Sequence, residues 1–143
     1  MKYQNSPVIM YGIQFDSKWE CEVYRLIKSI IPPSYISVHE RVLIKPTTKN
    51  YRARYWNCDF IIKDDFDNPL LLVEAKGMPT REFLRQLQLL DAFEPTLIGK
   101  IRIVQQQSTK IDECFTSLNP TQLQAELKIV SKQLKGDPWK LTN

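Results

Sequence analysis

Residues 70–77, with the sequence LLLVEAKG, limit the possible folds of this chain more than any other segment. A short apolar run that ends at a glycine is typical of a buried strand. Because side chains alternate between the two faces of a strand, Glu74 and Lys76 must point to the same side. Burying two opposite charges for packing alone costs free energy, so the segment predicts a site for chemistry. An ordinary ion pair on an edge strand is the alternative.

The segments around this strand predict helices and further strands. Apolar residues at helical spacing, with Thr80 as a helix cap, predict the helices, and loose alternation predicts the strands. The predicted helices cover residues 16–31, 80–92 and 121–134, and the predicted strands cover residues 36–44, 51–62, 70–75 and 100–105. This order predicts an α/β fold, with a mixed central sheet flanked by helices and a C-terminal helix. We expect one domain over residues 1–143, with a core at about 11–110 and a C-terminal helix and tail at 111–143.

Composition argues against several other classes of site. The 143 residues, 43% of them hydrophobic and with a net charge of +4, suit a globular domain and permit a nucleic-acid partner without requiring one. Three cysteines without a C-x-x-C pair argue against a disulfide framework or a zinc site, and the single histidine, His39, is interpreted as an ordinary strand residue. The chain begins without the apolar segment of a signal peptide and has no run that spans a membrane, which predicts a cytoplasmic protein without a membrane partner.

Asp59, in the strand before Glu74, is the best partner for the charge pair. Regular alternation predicts that Cys58, Phe60 and Ile62 share one face of their strand and that Asp59 lies on the other. If the two strands pair as a hairpin, the carboxylates of Asp59 and Glu74 converge. The alternative for Asp59 is a carboxylate at a strand end that only bonds a backbone amide.

Two carboxylates with the backbone carbonyl of Ala75 between them suit a hard divalent cation. Such an ion lowers the pKa of a bound water and neutralises charge that builds on a phosphate. Lys76 beside it can orient the attacking water or stabilise the transition state. These residues predict a site for phosphodiester hydrolysis. Glu20 is a candidate fourth member, although Ser17 and Glu20 also match the S-x-x-E pattern of a helix capping box, and both interpretations stay open.

The order of these residues resembles the PD-(D/E)XK nuclease superfamily. A longer series of matches, over about residues 11–110, is similar to phage-type endonuclease I, a junction-resolving enzyme, and to small phage, transposon and homing endonucleases. The matches are FDSxxE at residues 15–20, YxxxDF at 55–60, VEAKG at 73–77 and IRIV at 101–104.

This resemblance implies a restriction-endonuclease-like α-β-β-β-α-β core and an Mg²⁺-dependent DNA endonuclease. Asp59 and Glu74 would hold Mg²⁺ or Mn²⁺, and Lys76 would be the catalytic lysine. Glu20 would complete the metal site from the first helix. Two features depart from the family pattern. Cys58 stands where the motif has a proline, and the helix at residues 80–92 lacks the glutamine–tyrosine pair of the RecB-like branch.

Several cations and amides predict a DNA-binding surface. Four cations surround the turn before the Asp59 strand, namely Lys45, Lys49, Arg52 and Arg54. Three aromatic residues are interleaved with them, namely Tyr51, Tyr55 and Trp56. Arg81 and Arg85 lie one turn apart on the predicted helix after the motif, and Lys110 ends the amide-rich segment 105–110. A solvated hairpin and a solvated helix face are the alternatives for these groups.

Three functions compete on the sequence alone. The first is an endonuclease for branched DNA such as a four-way junction, and the second is a site-specific homing or restriction enzyme that cuts duplex DNA. The third is a DNA-binding assembly module that has lost catalysis. Cutting both strands needs two sites, so we also expect a homo-oligomer, most simply a two-fold dimer.

Overall fold

The chain folds around a four-stranded sheet that is built from the predicted strands. The computed structural model describes residues 6–134. The strands are β1 Val8–Met10, β2 Ile13–Phe15, β3 Ile36–Lys45, β4 Arg54–Lys63, β5 Pro69–Ala75 and β6 Ile101–Val104. The helices are α1 Lys18–Lys28, α2 Arg81–Phe93, α3 Pro95–Ile98 and α4 Pro120–Leu134, with a 3₁₀ turn at Pro33–Tyr35.

The sheet is mixed, with the strand order β3-β4-β5-β6. The first three strands form an antiparallel meander, and β5 and β6 are parallel because α2 crosses over between them. The α/β class, the mixed sheet, the flanking helices and the C-terminal helix are therefore confirmed. Residue pairs such as Phe60↔Val73 place the middle of the sheet at the centre of the core.

Two apolar clusters cover the two faces of the sheet. In the first cluster, α1 and α4 pack on one face, where Ile27, Phe60 and Leu127 are fully buried. In the second, α2 packs on the opposite face through residues such as Leu87 and Leu90. The apolar stripes of the helices are buried because the sheet is apolar on both sides.

Two side-chain caps fix where the helices begin. The hydroxyl of Thr80 accepts a hydrogen bond from the N–H of Phe83 at 3.1 Å, as its position as a predicted cap requires. Ser17 caps α1 in the same way, because its hydroxyl accepts from the N–H of Glu20 at 3.1 Å. Both caps line one cleft together with Ala75 at the end of β5. The helix starts and the strand end therefore meet at a single place.

The predicted face of Cys58 is wrong. Cys58 packs in the second cluster with Trp56, whereas Phe60 and Ile62 pack in the first. The faces change at the position opposite His39, whose φ of 54° lies in the left-handed region between the pairs on either side of it. Regular alternation does not hold across such a distortion.

The β1–β2 hairpin and α3 were not predicted. The pair Met10↔Ile13 leaves only Tyr11 and Gly12 in the hairpin loop, with φ values of 57° and 75°. Two residues with positive φ are typical of a type I′ turn. Each strand has three residues, which is too short for a recognisable alternation.

Several expectations lie beyond what the structure shows. The predicted tail at residues 136–143, including Trp139, falls outside the described residues. Between residues 6 and 134, no helix is both long and apolar enough to cross a membrane. The assignment of residues 1–143 to one domain and the cytoplasmic location stay predictions.

We expect Leu127→Ala to lower the free energy of unfolding by about 2–5 kcal/mol, because Leu127 is fully buried and its truncation leaves a cavity under α4. Ile129→Ala is the matched control on the same helix. Ile129 is 61% exposed, so its truncation should change the free energy by less than about 0.5 kcal/mol. Urea unfolding followed by circular dichroism measures both. Equal losses in the two variants would contradict the packing of α4 on the sheet.

Candidate functional site

A cleft of about 500 Å³ opens at the end of β5. Its lining includes four predicted site residues, which are Glu20, Asp59, Ala75 and Lys76. Glu20 comes from the first turn of α1, and Asp59 comes from the middle of β4. Glu74, the fifth predicted residue, lies directly behind the cleft with 1% of its surface exposed. The fold therefore brings together side chains that are up to 56 positions apart in the sequence.

The backbone ladder between β4 and β5 gives way to side-chain contacts at the cleft. The ladder runs from Lys63↔Pro69 to Phe60↔Val73. Beyond it, the N–H of Asp59 donates to Oε1 of Glu74 at 3.0 Å, and the N–H of Ala75 donates to Oδ2 of Asp59 at 2.9 Å. Each carboxylate therefore binds the backbone of the opposite strand. The alternative predicted for Asp59, a bond to a backbone amide, is present, and the carboxylate lines the cleft as well.

Glu74 and Lys76 point to the same side, as the period of the strand predicts. Nζ of Lys76 lies 3.0 Å from Oε2 of Glu74 and 4.8 Å from the centre of the Phe83 ring. Oε1 of Glu74 also accepts from the indole N–H of Trp56 at 3.0 Å. Both oxygens of Glu74 are thus occupied, and Oε2 holds the ammonium of Lys76 at the edge of the cleft.

Glu20 uses its backbone and its side chain for different purposes. Its N–H caps the helix through Ser17, and its Oε1 contacts Nε2 of His39. The cap by Ser17 uses the N–H of Glu20, while the carboxylate also accepts a hydrogen bond from the backbone N–H of Asp16, just before the helix. A carboxylate oxygen of Asp16 lies within 4.8 Å of these Glu20 and His39 atoms. The residue with the left-handed backbone, His39, is therefore the same residue whose ring contacts α1.

Burial and mutual repulsion dominate the electrostatics of the cleft. Burial raises the pKa of Asp59 to about 8, and repulsion from Glu74 and Glu20 adds to this shift. Burial also raises the pKa of Glu74 despite Lys76, and that of Glu20 despite His39. For Lys76, burial alone would lower the pKa, but attraction to Glu74 outweighs it and the pKa is raised. The lysine is therefore charged at neutral pH, whereas the carboxylates resist ionisation.

The donor set of the cleft fits a hard divalent cation. Glu20 and Asp59 offer carboxylate oxygens, and the Ala75 backbone lines the same cleft. Burial and mutual repulsion raise the pKa values of Glu20, Asp59 and Glu74, and a divalent cation would relieve the repulsion among these carboxylates. Asp16 and His39 offer further ligand atoms on the side of Glu20. Glu74 is the least open of the predicted ligands because both of its oxygens already accept hydrogen bonds.

The predicted DNA-binding cations lie on exposed parts of the surface. Exposed positions include Lys49, Arg52, Arg54, Arg81, Arg85 and Lys110. Lys45 is half-buried, and its ammonium donates to the carbonyls of Pro46 and Arg52 at 3.1 and 3.3 Å. Arg54 is paired with Glu82 at 2.8 Å and borders a shallow depression with Arg85.

The predicted stacking surface is only partly correct. Tyr51 and Tyr55 are exposed, and the guanidinium of Arg41 lies 3.8 Å from the centre of the Tyr55 ring. Trp56 was expected on this surface but is buried in the second cluster and bonds Glu74. Trp56 shares a face with Cys58, two residues away, because both lie on the same side of the distortion. Phe60, four residues from Trp56, lies beyond the distortion and packs in the first cluster.

Sequence reasoning missed Asp16 and His39. His39 was interpreted as an ordinary strand residue, yet its ring contacts the carboxylate of Glu20. The observed register, with Val38 opposite Phe60 and Glu40 opposite Cys58, places His39 opposite Asp59. Folding about the middle of the predicted turn at residues 46–50 would instead have placed His39 opposite Asn57, so the sequence did not indicate this contact. Asp16 stood inside the FDSxxE match without receiving a role. The sequence feature that could have identified Asp16 is its position one residue before the helix cap at Ser17.

No protein-family model matches this chain, and neither a curated protein nor a solved structure matches it significantly. The resemblance to PD-(D/E)XK nucleases therefore stays a prediction that depends on the site residues themselves.

We expect the metal-free protein to lose stability as the pH rises from about 4 to 8. The folded protein keeps the proton of Asp59 up to a pKa of about 8, whereas an unfolded aspartate releases it near 3.8. Between these values the folded state binds more protons, so raising the pH costs stability. Asp59→Asn should flatten this dependence and raise the melting temperature at pH 8 by about 2–5 °C, the shift that about 1 kcal/mol produces in a domain of this size.

Thermal unfolding in EDTA at pH 5 and pH 8, followed by circular dichroism, measures this effect. Asp91→Asn, at an exposed position of α2, is the control that removes a surface carboxylate. If Asp59→Asn and Asp91→Asn gave the same pH dependence, the electrostatic description of the cleft would be wrong.

Proposed function

We propose that this protein is a divalent-metal-dependent DNA endonuclease with a restriction-endonuclease-like core. The supporting observation is that Glu20, Asp59 and Lys76 meet in one cleft, with Glu74 holding Lys76 from behind. A set of carboxylates next to a fixed ammonium suits the hydrolysis of a phosphodiester, in which a water adds to phosphorus and a sugar oxygen leaves.

Glu20 and Asp59 would hold Mg²⁺ or Mn²⁺ together with the carbonyl of Ala75, and Glu74 is the further predicted ligand. When bound, the ion supplies an acidified water and neutralises charge on the phosphate. The support for this set is the raised pKa of each carboxylate, because side chains that resist ionisation gain the most from a cation.

Lys76 is the proposed electrostatic catalyst. Its ammonium is held by Glu74 and the Phe83 ring at the cleft edge, so it needs little reorganisation to face a bound phosphate. Its raised pKa keeps it charged at neutral pH. A charged group that is fixed before the substrate arrives stabilises the negative charge that develops in the transition state.

The cations around the β3–β4 hairpin and α2 are the proposed contacts to the DNA backbone. This surface comprises the half-buried Lys45 and the exposed Lys49, Arg52, Arg54, Arg81 and Arg85. Lys110 stands apart from it and lines a neighbouring depression that also contains Lys76. Such contacts position DNA without reading its sequence, which suits an enzyme for branched DNA. A site-specific duplex endonuclease and an inactive DNA-binding module are the alternatives. A two-fold dimer remains the proposed means of cutting two strands.

We expect Lys76→Ala to lower the rate of DNA cleavage in Mg²⁺ by about a hundredfold or more, because it removes the charge next to the reacting phosphate. DNA binding in EDTA should persist. A four-way junction and linear plasmid duplex, resolved on gels, serve as substrates. Lys128→Ala, at an exposed position of α4, is the matched control.

Several outcomes separate the functions in this assay. Discrete bands from the linear duplex would favour the site-specific enzyme over the junction enzyme. Binding without any cleavage by the wild type would favour the inactive module. Equal nicking by wild type and Lys76→Ala would point to a contaminant and refute the role of Lys76.

We expect Glu20→Gln to abolish cleavage while changing the melting temperature little. The substitution keeps the N–H that Ser17 caps and removes a charge that burial disfavours. Ser17→Ala is the matched variant, and it should cost about 1 kcal/mol by removing the cap. Thermal unfolding and the junction assay measure both variants. A large loss of stability in Glu20→Gln with cleavage retained would show that the carboxylate is structural.

A further inference from the structure

A second groove, of about 710 Å³, adjoins the cleft. The two depressions share four lining residues, which are Trp19, Lys76, Gly77 and Met78. The far wall of the groove is the segment after β6, from Gln105 to Ile111. Its volume lies within the range of about 300–1,000 Å³ that is usual for small-molecule sites. The proposed catalytic lysine therefore stands between two depressions, and only one of them contains the carboxylates.

The chemistry of this groove differs from that of the cleft. Apolar surface comes from Trp19, Met78, Leu84 and Ile111, and Met78 is 81% exposed. The cations are Lys76 and Lys110. Among residues 6–134, no aspartate or glutamate lines the groove. This combination fits a ligand that is anionic at one end and flat and apolar at the other.

Hydrogen bonds hold two walls of the groove in place. The indole N–H of Trp19 donates to the carbonyl of Val104 at 3.1 Å, which fixes the orientation of the ring. The side-chain amide of Gln105 donates to the carbonyl of Gly77 at 2.9 Å, and its oxygen accepts from the hydroxyl groups of Thr109 and Ser117 at 2.6 Å each. The groove is therefore formed before a ligand arrives.

We propose that this groove binds an unpaired DNA nucleotide next to the scissile phosphate, an inference that rests on the proposed nuclease function. A paired base has both faces covered by its neighbours in the stack, so it offers the groove only an edge. An unstacked base offers a whole face to the Trp19 and Met78 surface, and its phosphate is within the field of Lys110 and Lys76. The exposed amides of Gln106 and Gln107 can bond base edges.

The preferred substrate is accordingly DNA with an unpaired or easily unstacked nucleotide beside the cut. Branch points, loops and flaps provide such nucleotides, whereas continuous duplex must be distorted to provide one, at a cost of unstacking. This preference selects branched or looped DNA over continuous duplex.

The test compares two labelled duplexes of equal length and flanking sequence, one of which contains a short central loop of unpaired thymidines. Fluorescence anisotropy in EDTA measures binding, and gel mapping in Mg²⁺ measures the cut. We expect the wild type to bind the looped duplex about tenfold more tightly, since stacking of one base on an aromatic ring has this order of effect. The cuts should lie beside the loop.

Two exposed substitutions test the groove without removing core packing. Met78→Glu introduces a negative charge on the apolar surface, and Lys110→Ala removes a cation, so both should reduce the preference for the looped duplex. Ile129→Glu and Lys132→Ala, at exposed positions of α4, are the matched controls and should keep the full preference.

Equal binding of the two duplexes by the wild type would overturn the groove proposal, as would an equal loss on both DNAs in Met78→Glu and Lys110→Ala. Cleavage without preference would leave the nuclease function standing and remove only the groove. Preferential binding of the looped duplex with no cleavage of either DNA would support nucleotide binding by the groove and refute the nuclease.

Discussion

The paired hydrogen bonds between Asp59 and the Glu74–Ala75 segment are the interaction on which the site depends. The carboxylate of Glu74 accepts the N–H of Asp59, and that of Asp59 accepts the N–H of Ala75, just beyond the last regular pair Phe60↔Val73. Buried N–H groups need partners, so these bonds satisfy two donors where the regular pairing of β4 with β5 has ended. Structural and chemical interpretations of Asp59 are therefore compatible, because one carboxylate bonds the backbone of β5 and lines the cleft at the same time.

Keeping these charges buried requires a rigid surrounding. Phe60 and Val73, the last pair of the regular ladder, are fully buried and anchor the strands just before they separate. Trp56 and Phe83 pack beside the Glu74–Lys76 pair from the second cluster. Groups that destabilise the fold and converge in a cleft are typical of functional sites, where stability is given up for chemistry. The core on both faces of the sheet supplies the compensating burial.

The helices and the longer strands could be predicted because their apolar residues repeat with a recognisable period. The position of Glu74 and Lys76 on one face of β5 could also be predicted, because it depends only on local strand geometry. The β1–β2 hairpin was missed because three-residue strands show no period. The predicted face of Cys58 was wrong, and the contact of His39 with Glu20 was overlooked, for one shared reason. Both depend on the left-handed backbone of His39 in β3, opposite the point in β4 where the faces change, and the ring of His39 contacts Glu20. A distortion of this kind arises from pairing between strands, and the pattern of one strand does not contain it.

Trp19 and Glu20 are adjacent in the first turn of α1, and this adjacency has a thermodynamic consequence. The indole is tied to the end of β6 and borders both depressions, while the next side chain reaches into the carboxylate cluster. A ligand bound against the ring in the groove and an ion bound by Glu20 in the cleft would both act on the same helical turn. If both proposals hold, their affinities would be linked, and the linkage would be reciprocal, so that each ligand changes the affinity of the other by the same factor.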